Sequence, residues 1–431
     1  MGPIKLTMGV VIFLILFSFF GCEVENISPV EPSENVEEQK TDDSNSETDN
    51  ESETETNKDS VNTQQKSEVI GNGSGKLSLK NVKNKHYSIK PGTYSSFHVE
   101  NVTNTTIDGF GKVKISKGNI NISNINGLVL SGIAVENSQN VAIHIHTSAN
   151  NLTIQNISLK NISNYGVRFD INNKYDGSPR SFSENIQLKN INAEQIGTLF
   201  ISQGGVKEDG FYGLIKGFKL TNSIVKNSPK LNGLTSLGLA ENYEMSNNIV
   251  DNVNASPKYP NGLNTHTGIF FAKGNGKIFN NKVTNYQGSV VRAWLLSITK
   301  VGVVEIHDNI AYNSTRYGAF ELQAPAYIRK SKHFSPANAK VYNNTVGLLN
   351  TGEPKFFEGR LLDLYNTYGE VEVYNNLSFK LRDNLLINNM SSPKDTKITK
   401  NTNNRYFPSA ENAVHDLTNF KSKFPGVGAR R

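Results

Sequence analysis

Two charged residues, Arg292 and Glu321, stand at equivalent positions of two similar segments, Val290–Leu295 and Gly318–Gln323. An arginine can neutralise an anionic substrate group, while a neighbouring carboxylate acts as an acid, a base or an orienting group. His266 precedes another segment of this kind, and histidine is a natural proton carrier near neutral pH. We therefore predict that His266, Arg292 and Glu321 are catalytic. The alternatives are a solvated histidine and a surface ion pair that stabilises the fold by about 1 kcal/mol at most.

Six further side chains are predicted to bind substrate, because they occupy outward positions in the same set of segments. They are His144, His146, Arg168, Asp170, Trp294 and Gln323. Trp294 is the only tryptophan of the chain, and its apolar ring suits stacking on a sugar. His144 and His146 share one face and could bind a metal ion or the substrate, with two solvated histidines as the alternative. Three charged residues would extend this set toward the C-terminus: Glu358, Arg360 and Asp363.

The segments that carry these residues alternate apolar and variable positions, as β-strands do. Eight copies occur in the sequence: Val141–His146, Gly166–Ile171, Gly197–Ser202, Gly233–Leu237, Gly268–Ala272, Val290–Leu295, Gly318–Gln323 and Leu361–Tyr365. Successive side chains of a strand point to opposite faces, so one set faces a core and the other points outward. The register of the Gly233 copy is ambiguous. This rule predicts four more outward residues: Phe200, Ser202, Phe270 and Ala272.

A second repeated phrase places asparagine between apolar residues. Its asparagines are 26 to 35 residues apart: Asn156, Asn190, Asn222, Asn248, Asn281, Asn309, Asn344 and Asn376. Asparagine tolerates the left-handed backbone of a tight bend, and stacked amides can form a hydrogen-bonded ladder. The two phrases largely alternate, so each repeat contributes at least two strands. We predict an all-β fold, a right-handed parallel β-helix (a solenoid) of about ten coils.

The N-terminal part divides the chain into three predicted regions. Residues 1–21 form a charged and then apolar leader that ends before Cys22, the only cysteine, in an arrangement that resembles a lipoprotein signal peptide. Lipidation of Cys22 would anchor the chain in the outer membrane, and we expect the protein to be exposed at the cell surface. Residues 22–75 are predicted to be an acidic disordered tether, and residues 76–431 the β-helix domain.

The charge is distributed unevenly along the chain. Residues 23–69 contain 15 acidic residues and 3 lysines, so the rest of the mature chain keeps 41 basic and 24 acidic residues, a net charge of about +17. Such a surface favours an anionic partner. Anionic polysaccharides, lipid head groups and nucleic acids are such partners, and lysines scattered over a solvated surface are the alternative. No basic region with interleaved aromatic residues occurs, which argues against nucleic acid, and we expect an anionic polysaccharide. We expect a monomer.

The repeats, together with the entry segments Tyr87–Tyr94 and Thr106–Val113, resemble the pectate-lyase-like β-helix superfamily over residues 76 to 405. With the lipoprotein leader, the chain also resembles surface glycan-utilisation lipoproteins of Bacteroidota. The superfamily contains polysaccharide lyases, glycoside hydrolases, epimerases and non-catalytic adhesins. The triple aspartate of polygalacturonase-type hydrolases and the Asp-Pro-His motif of alginate epimerases are missing, and no Glu-x-Asp pair stands where iota-carrageenase-like enzymes carry theirs. The resemblance therefore implies a fold more specifically than a reaction.

Three functions follow as expectations. The first is β-elimination at a uronic acid, with Arg292 stabilising the enolate, His266 as base and Glu321 orienting. The second is hydrolysis by two carboxyl groups, either Glu321 with Asp170 or a contribution from Glu208 or Asp209. The third is binding without catalysis.

Calcium occurs in lyases of this fold, but no calcium or other metal site is assigned. Two further cleft candidates are the Lys207–Gly210 loop and Tyr243.

Overall fold

The computed structural model describes residues 67–147, 149–207, 209–254, 268–324, 335–352, 358–391 and 395–430. Within these ranges the chain forms strands, turns and bends but no helix, and so none that is long and apolar enough to cross a membrane. The strands are β1 (Glu68–Ile70), β2 (Ser74–Lys83), β3 (His86–Ile89), β4 (Gly92–Ser116), β5 (Ile120–Glu136), β6 (Val141–Ile145), β7 (Ala149–Phe169), β8 (Ser183–Glu184), β9 (Ile186–Ser202), β10 (Gly205–Lys207), β11 (Gly210–Tyr212), β12 (Ile215–Lys216), β13 (Lys219–Thr221), β14 (Ile224–Ser228), β15 (Gly233–Ser246), β16 (Ile249–Val253), β17 (Gly268–Phe279), β18 (Lys282–Tyr286), β19 (Ser289–Leu295), β20 (Val303–His307), β21 (Ile310–Ser314), β22 (Phe320–Gln323), β23 (Asn338–Tyr342), β24 (Thr345–Gly347), β25 (Leu362–Tyr365), β26 (Glu370–Tyr374), β27 (Leu377–Phe379), β28 (Ile387–Asn389), β29 (Lys397–Thr402) and β30 (Arg405–Phe407).

The strands stack as three parallel sheets, and each coil of the chain contributes to all three. In the C-terminal half, β19, β22 and β25 belong to the first sheet. Strands β20, β23 and β26 belong to the second sheet. Strands β21, β24 and β27 belong to the third. This is the predicted all-β parallel β-helix.

A single outward position of the first sheet can be followed through the described coils by strand register. We call it the central column, and its twelve residues are Ser78, His98, Asn121, His144, Arg168, Ile201, Ser236, Phe271, Arg292, Glu321, Asp363 and Asn388. Twelve rungs exceed the ten or so coils predicted. Four rungs lie outside the eight copies of the repeated segment, namely those of Ser78, His98, Asn121 and Asn388. Strand β1 and the start of β2 also pair within the stack, N-terminal to the predicted boundary at residue 76.

The inward side chains of the three sheets fill one continuous apolar core. In β19, for example, Val291, Ala293 and Leu295 are fully buried, and the residues between them face outward. Alternation with period two produces this separation in each strand of the first sheet.

The predicted outward positions of two copies are wrong. Phe200, Ser202, Phe270 and Ala272 are buried, and their neighbours Ile201 and Phe271 stand in the central column. Both faces of these two strands carry apolar residues, so the hydrophobic pattern alone does not fix which set faces the core.

The repeated asparagines have two different structural roles. Asn156, Asn190 and Asn222 adopt the left-handed backbone at bends, with φ of 53–54°. The five later asparagines are buried inside the β-helix and form a ladder of side-chain amides that continues to Asn404: Asn248, Asn281, Asn309, Asn344 and Asn376. The distances along this ladder run from 2.8 to 3.1 Å. Each amide also bonds main-chain groups of neighbouring coils, which holds successive bends in register.

Candidate functional site

Arg292 and Glu321 occupy adjacent rungs of the central column and form the expected ion pair. Arg292 Nε donates to Glu321 Oε1 at 3.0 Å. The Glu321 side chain is 2% exposed, whereas that of Arg292 is 24% exposed. Glu321 therefore differs from the prediction, because it stands at an outward position but is covered. The carboxylate lies behind the arginine and orients a cation that remains accessible.

Trp294 and Gln323 stand two residues farther along the same strands and bracket the arginine. With its amide oxygen turned toward them, Gln323 accepts hydrogen bonds from Nε and Nη2 of Arg292, both at 3.2 Å, and from the indole N–H of Trp294. The Trp294 ring lies edge-on to Phe271, with ring centroids 5.9 Å apart. Strand packing and hydrogen bonds thus fix an arginine, an indole and an amide on one surface.

Lys273 joins this surface, although sequence reasoning missed it. Its register partner is Trp294, and its Nζ lies 4.4 Å from the centre of the indole ring. Burial, and secondarily the positive charge of Arg292, lower the pKa of Lys273. The sequence analysis assigned Phe270 and Ala272, instead of Phe271, to the outward face of this strand. With Phe271 outward, alternation places Lys273 on the same face.

Two more carboxyl groups are buried one coil beyond Glu321. Asp363 follows Glu321 in the central column and accepts a hydrogen bond from Asn388 at 3.0 Å. Burial raises the pKa of Asp363 to about 7, and the charges of Glu358 and Glu321 add to this effect. Glu358 accepts a hydrogen bond from the Tyr365 hydroxyl at 2.8 Å. We give the name arginine cluster to seven residues: Lys273, Arg292, Trp294, Glu321, Gln323, Glu358 and Asp363.

A cleft of about 150 Å³ opens beside Arg292. Its lining includes Thr198, Asn232, Ser236, Gly268, Phe271 and Arg292. A Cβ atom at Gly268 would lie only 2.6 Å from Cβ of Arg292, so glycine makes room for the arginine at the edge of the cleft. The cleft therefore combines hydroxyl and amide groups with one aromatic ring and one cation.

The remaining predicted binding residues, His144, His146, Arg168 and Asp170, form a separate group. Two residues that were not predicted, His98 and Asn121, belong to it through the central column. We call these six residues the histidine cluster. Arg168 Nε donates to both oxygens of Asp170 at 2.8 and 2.9 Å, and His144 Nε2 lies 2.7 Å from the same carboxylate. Although partial burial opposes the effect, bonds from Arg168 and His144 hold the pKa of Asp170 below its usual value.

The two histidines of this cluster lie close together. The ring centroids of His144 and His146 are 3.7 Å apart, and Nε2 of His146 is 3.0 Å from Oδ1 of Asn121. Partial burial, followed by the proximity of His144, lowers the pKa of His146. Among the residues that the structure describes, no group of three or more His, Cys, Asp or Glu side chains is arranged to hold a metal ion.

The structure thus divides the predicted site residues between two places. Arg168 and Arg292 are four rungs apart in the central column, which is about 19 Å at the usual spacing of strands. Asp170 and Glu321 lie one rung farther apart, at about 24 Å, which is too far to flank one glycosidic bond. Glu321 and Asp363, in contrast, are register partners on adjacent strands.

Other predicted residues contribute nothing to either cluster or lie outside the described residues. Tyr243 is a core residue, 1% exposed, rather than a cleft residue. Asp209 bonds Lys174 at 2.9 Å and the Tyr212 hydroxyl at 2.6 Å beside the β10–β11 hairpin. Cys22, Glu208 and His266 all fall outside the described residues.

No protein-family profile and no curated protein matches the chain. Among solved structures, the chain is similar to a PL6 alginate lyase in complex with a trisaccharide, at 11% identity and a TM-score of 0.33, with 84% of this chain and 87% of that chain covered. The alginate lyase AlyF-OU02 gives 11% identity, a TM-score of 0.36 and the same coverage. The catalytic unit of a GH87 α-1,3-glucanase from Streptomyces thermodiastaticus gives 12% identity and a TM-score of 0.33, over 77% of this chain and 61% of that one. The roles proposed for individual residues rest on this chain's own side chains.

Proposed function

We propose that the protein degrades an anionic polysaccharide and that it cleaves the chain by β-elimination at a uronic acid. The observation that carries the proposal is the pair of basic side chains, Arg292 and the partly buried Lys273, on neighbouring strands of the first sheet. Arg292 is held by a buried carboxylate, and the lowered pKa of Lys273 increases the fraction of neutral amine near pH 7. Beside these cations the cleft and the Trp294 ring offer a surface for a sugar.

Each step of the elimination has a candidate group in the arginine cluster. Arg292 pairs with the uronate carboxylate and stabilises the negative charge that develops on it when the C5 proton leaves. Neutral Lys273 accepts that proton as general base. The electron pair forms the C4–C5 double bond and expels the oxygen at C4, which takes a proton from the lysine ammonium. His266 remains a predicted alternative base, because it lies outside the described residues.

The assay is the ultraviolet absorbance of the unsaturated product, measured with pectate, alginate and a glycosaminoglycan as substrates. The wild-type protein should raise the absorbance with at least one of them. Lys273→Met removes the amine while keeping an unbranched apolar chain, and should lower kcat by a factor of about 100 to 10,000. Reducing ends produced without any rise in absorbance would disprove elimination.

A matched control is available on the same strand. Lys277 also lies in β17, but its side chain is 56% exposed and pairs with Glu305 at 3.1 Å on the second sheet. Lys277→Met should leave the rate within about twofold of wild type, since surface ion pairs contribute little. Equal losses in the two lysine variants would show that Lys273 is not the base.

Hydrolysis is a second candidate function, favoured by one observation. Glu321 and Asp363 lie on adjacent strands, and a carboxyl with a pKa of about 7 is suited to act as a general acid. Both side chains are 2% exposed, however, so a substrate would reach them less readily than it reaches Arg292. Under this candidate, Asp363→Asn would abolish the release of reducing ends, and Lys273→Met would change it little. Binding without any product is the third outcome that the same assay separates.

We also propose that the protein acts at the outer membrane, attached through lipid on Cys22. The leader and the position of the single cysteine support this location. Cells fed a radiolabelled fatty acid should label the wild-type protein, and Cys22→Ser should remain unlabelled. A labelled Cys22→Ser variant would refute attachment at this residue.

A further inference from the structure

A second cleft, of about 360 Å³, lies at the corner where the chain passes from the third sheet to the first. Six polar residues of its lining come from four successive coils: Asn137, Gln139, Asn161, Ser163, Gln195 and Lys230. Ile162 and Ile196 form its floor and are buried. Neither the predicted site residues nor the proposed reaction uses any of these side chains.

This cleft lies next to the cleft beside Arg292, because residues close together in the chain line both. Gly197 lines the second cleft and its neighbour Thr198 lines the first. Lys230 lines the second cleft, and Asn232, two residues later, lines the first. Together they make one corner groove. It follows the edge of the first sheet across five rungs from Val141 to Ser289, a length of about 24 Å.

The chemistry of the groove changes along its length. At one end Arg292 and Phe271 provide a cation and an aromatic ring. At the other end the polar lining is made of side-chain amides, a hydroxyl and the single ammonium of Lys230. Amides both donate and accept hydrogen bonds, as sugar hydroxyls do, and an ammonium pairs with a carboxylate.

The backbone fixes the amides at this corner. Asn137, Asn161 and Gln195 all adopt left-handed conformations, with φ of 58°, 54° and 55°. Nδ2 of Asn161 donates to Oδ1 of Asn137 at 3.0 Å. Because an amide has two N–H donors, this bond leaves a second donor on Asn161 for a ligand. The amides of Asn137 and Asn161 are therefore already held in place before any ligand binds, which lowers the entropic cost of binding.

We propose that the corner groove binds the part of the anionic polysaccharide that extends from Arg292 toward the N-terminal coils. In this site the amides of Asn161 and Gln195 bond sugar hydroxyls, and Lys230 pairs with one carboxylate of the bound chain. The inference rests on the proposed function, since it assigns further subsites to the same substrate. It implies that affinity rises with chain length until the groove is filled.

The test compares short and long oligouronates of defined length, prepared from alginate and from pectate. Isothermal titration calorimetry is performed with Lys273→Met, so that binding is measured without turnover. In this background Lys230→Ala and Gln195→Ala should each weaken the binding of an octamer by about five- to tenfold, and leave the binding of a dimer within twofold. In the otherwise wild-type protein the same substitutions should raise KM for the octamer and leave kcat unchanged.

Lys226→Ala is the matched control, because Lys226 is an exposed lysine of the nearby strand β14 and belongs to the third sheet. It should leave octamer binding within twofold. Equal affinity for dimer and octamer, equal effects of Lys226→Ala and Lys230→Ala, or no oligouronate binding would each overturn the groove assignment. Length-dependent binding that depends on Lys230, without any product from the wild-type protein, would instead overturn the proposed reaction and retain the groove.

Discussion

The first sheet carries two polar clusters whose central ion pairs are built differently. In the histidine cluster, the side chains of Arg168 and Asp170 are 29% and 21% exposed. In the arginine cluster, those of Arg292 and Glu321 are 24% and 2% exposed. The two arginines are about equally accessible, so the clusters differ mainly in the environment of the carboxylate.

This difference has chemical consequences. The partly buried pair Arg168–Asp170 is formed within one strand, because both charges come from β7 and the residue that follows it, and His144 of the neighbouring strand bonds the same carboxylate. The buried carboxylate of Glu321 instead holds its arginine across two strands, and 24% of the Arg292 side chain stays exposed. Lys273 beside Arg292 then adds an amine whose pKa is lowered, and the histidine cluster contains no lysine. The arginine cluster is the better candidate for catalysis on these grounds.

The largest effect that would test this comparison is expected from matched arginine substitutions. Arg292→Ala deprives the buried Glu321 of its guanidinium partner, and should lower the free energy of unfolding by about 3 kcal/mol. It should also lower kcat/KM at least 100-fold, because the developing carboxylate charge loses its cation. Arg168→Ala should cost about 1 kcal/mol of stability at most, since its partner is partly solvated.

Chemical denaturation and the absorbance assay measure the two quantities. Arg292→Lys separates them further, because lysine keeps the charge but lacks the planar fork that bonds Glu321 and Gln323 together. Compared with Arg292→Ala, the Arg292→Lys variant should recover a larger part of the free energy of unfolding than of kcat/KM. If the two alanine variants lose equal activity, the distinction between the clusters fails.

The next effect, on stability and its pH dependence alone, is expected from the buried acid Asp363. Its pKa of about 7 in the folded protein lies above the value near 4 of an unfolded chain. Between pH 4 and 7 the native state therefore keeps a proton that the unfolded state has lost, and native stability falls as the pH rises. Asp363→Asn removes this dependence, so relative to wild type the variant should gain up to about 4 kcal/mol between pH 4 and pH 8.

Asp176 provides a control of opposite sign. Hydrogen bonds from the main-chain N–H and the side chain of Ser178 hold the pKa of Asp176 at about 2. Its contribution to stability is present above pH 4 and is lost only as the pH falls toward 2. The stability difference between Asp176→Asn and wild type should therefore stay constant between pH 5 and pH 8. A constant difference for Asp363→Asn over the same range would show that Asp363 is ionised throughout.

The fold was predictable because its asparagine bends repeat at nearly regular spacing. The buried ladder through Asn281 and Asn309 requires the same amide in each coil, and such a requirement is visible in the sequence. The register of β17 was not predictable, because Phe270 and Phe271 suit a core equally well. That ambiguity concealed Lys273, whereas Arg292 and Trp294 were placed correctly on the outward face of β19.

The burial of the carboxyl groups could not be predicted from strand alternation. Alternation assigns Glu321 and Asp363 to the outward face, and the register agrees. Whether an outward side chain is exposed depends on what packs over it, and such packing joins residues that are distant in the sequence. The raised pKa of Asp363 is a consequence of this packing and has no local sequence signal.

The smallest expected effect lies within the histidine cluster. After partial burial, the nearness of His144 is the next largest cause of the lowered pKa of His146. His144→Asn should therefore raise the pKa of His146, and NMR titration of the imidazole C–H resonances would measure the shift. His98→Asn should raise it less, because His98 acts more weakly on His146. An unchanged pKa in His144→Asn would mean that burial alone sets it. Activity should stay within about twofold in both variants, since His144, the nearer of the two substituted residues, lies five rungs or about 24 Å from Arg292. A loss as large as that caused by Arg292→Ala would instead bring the histidines into the reaction.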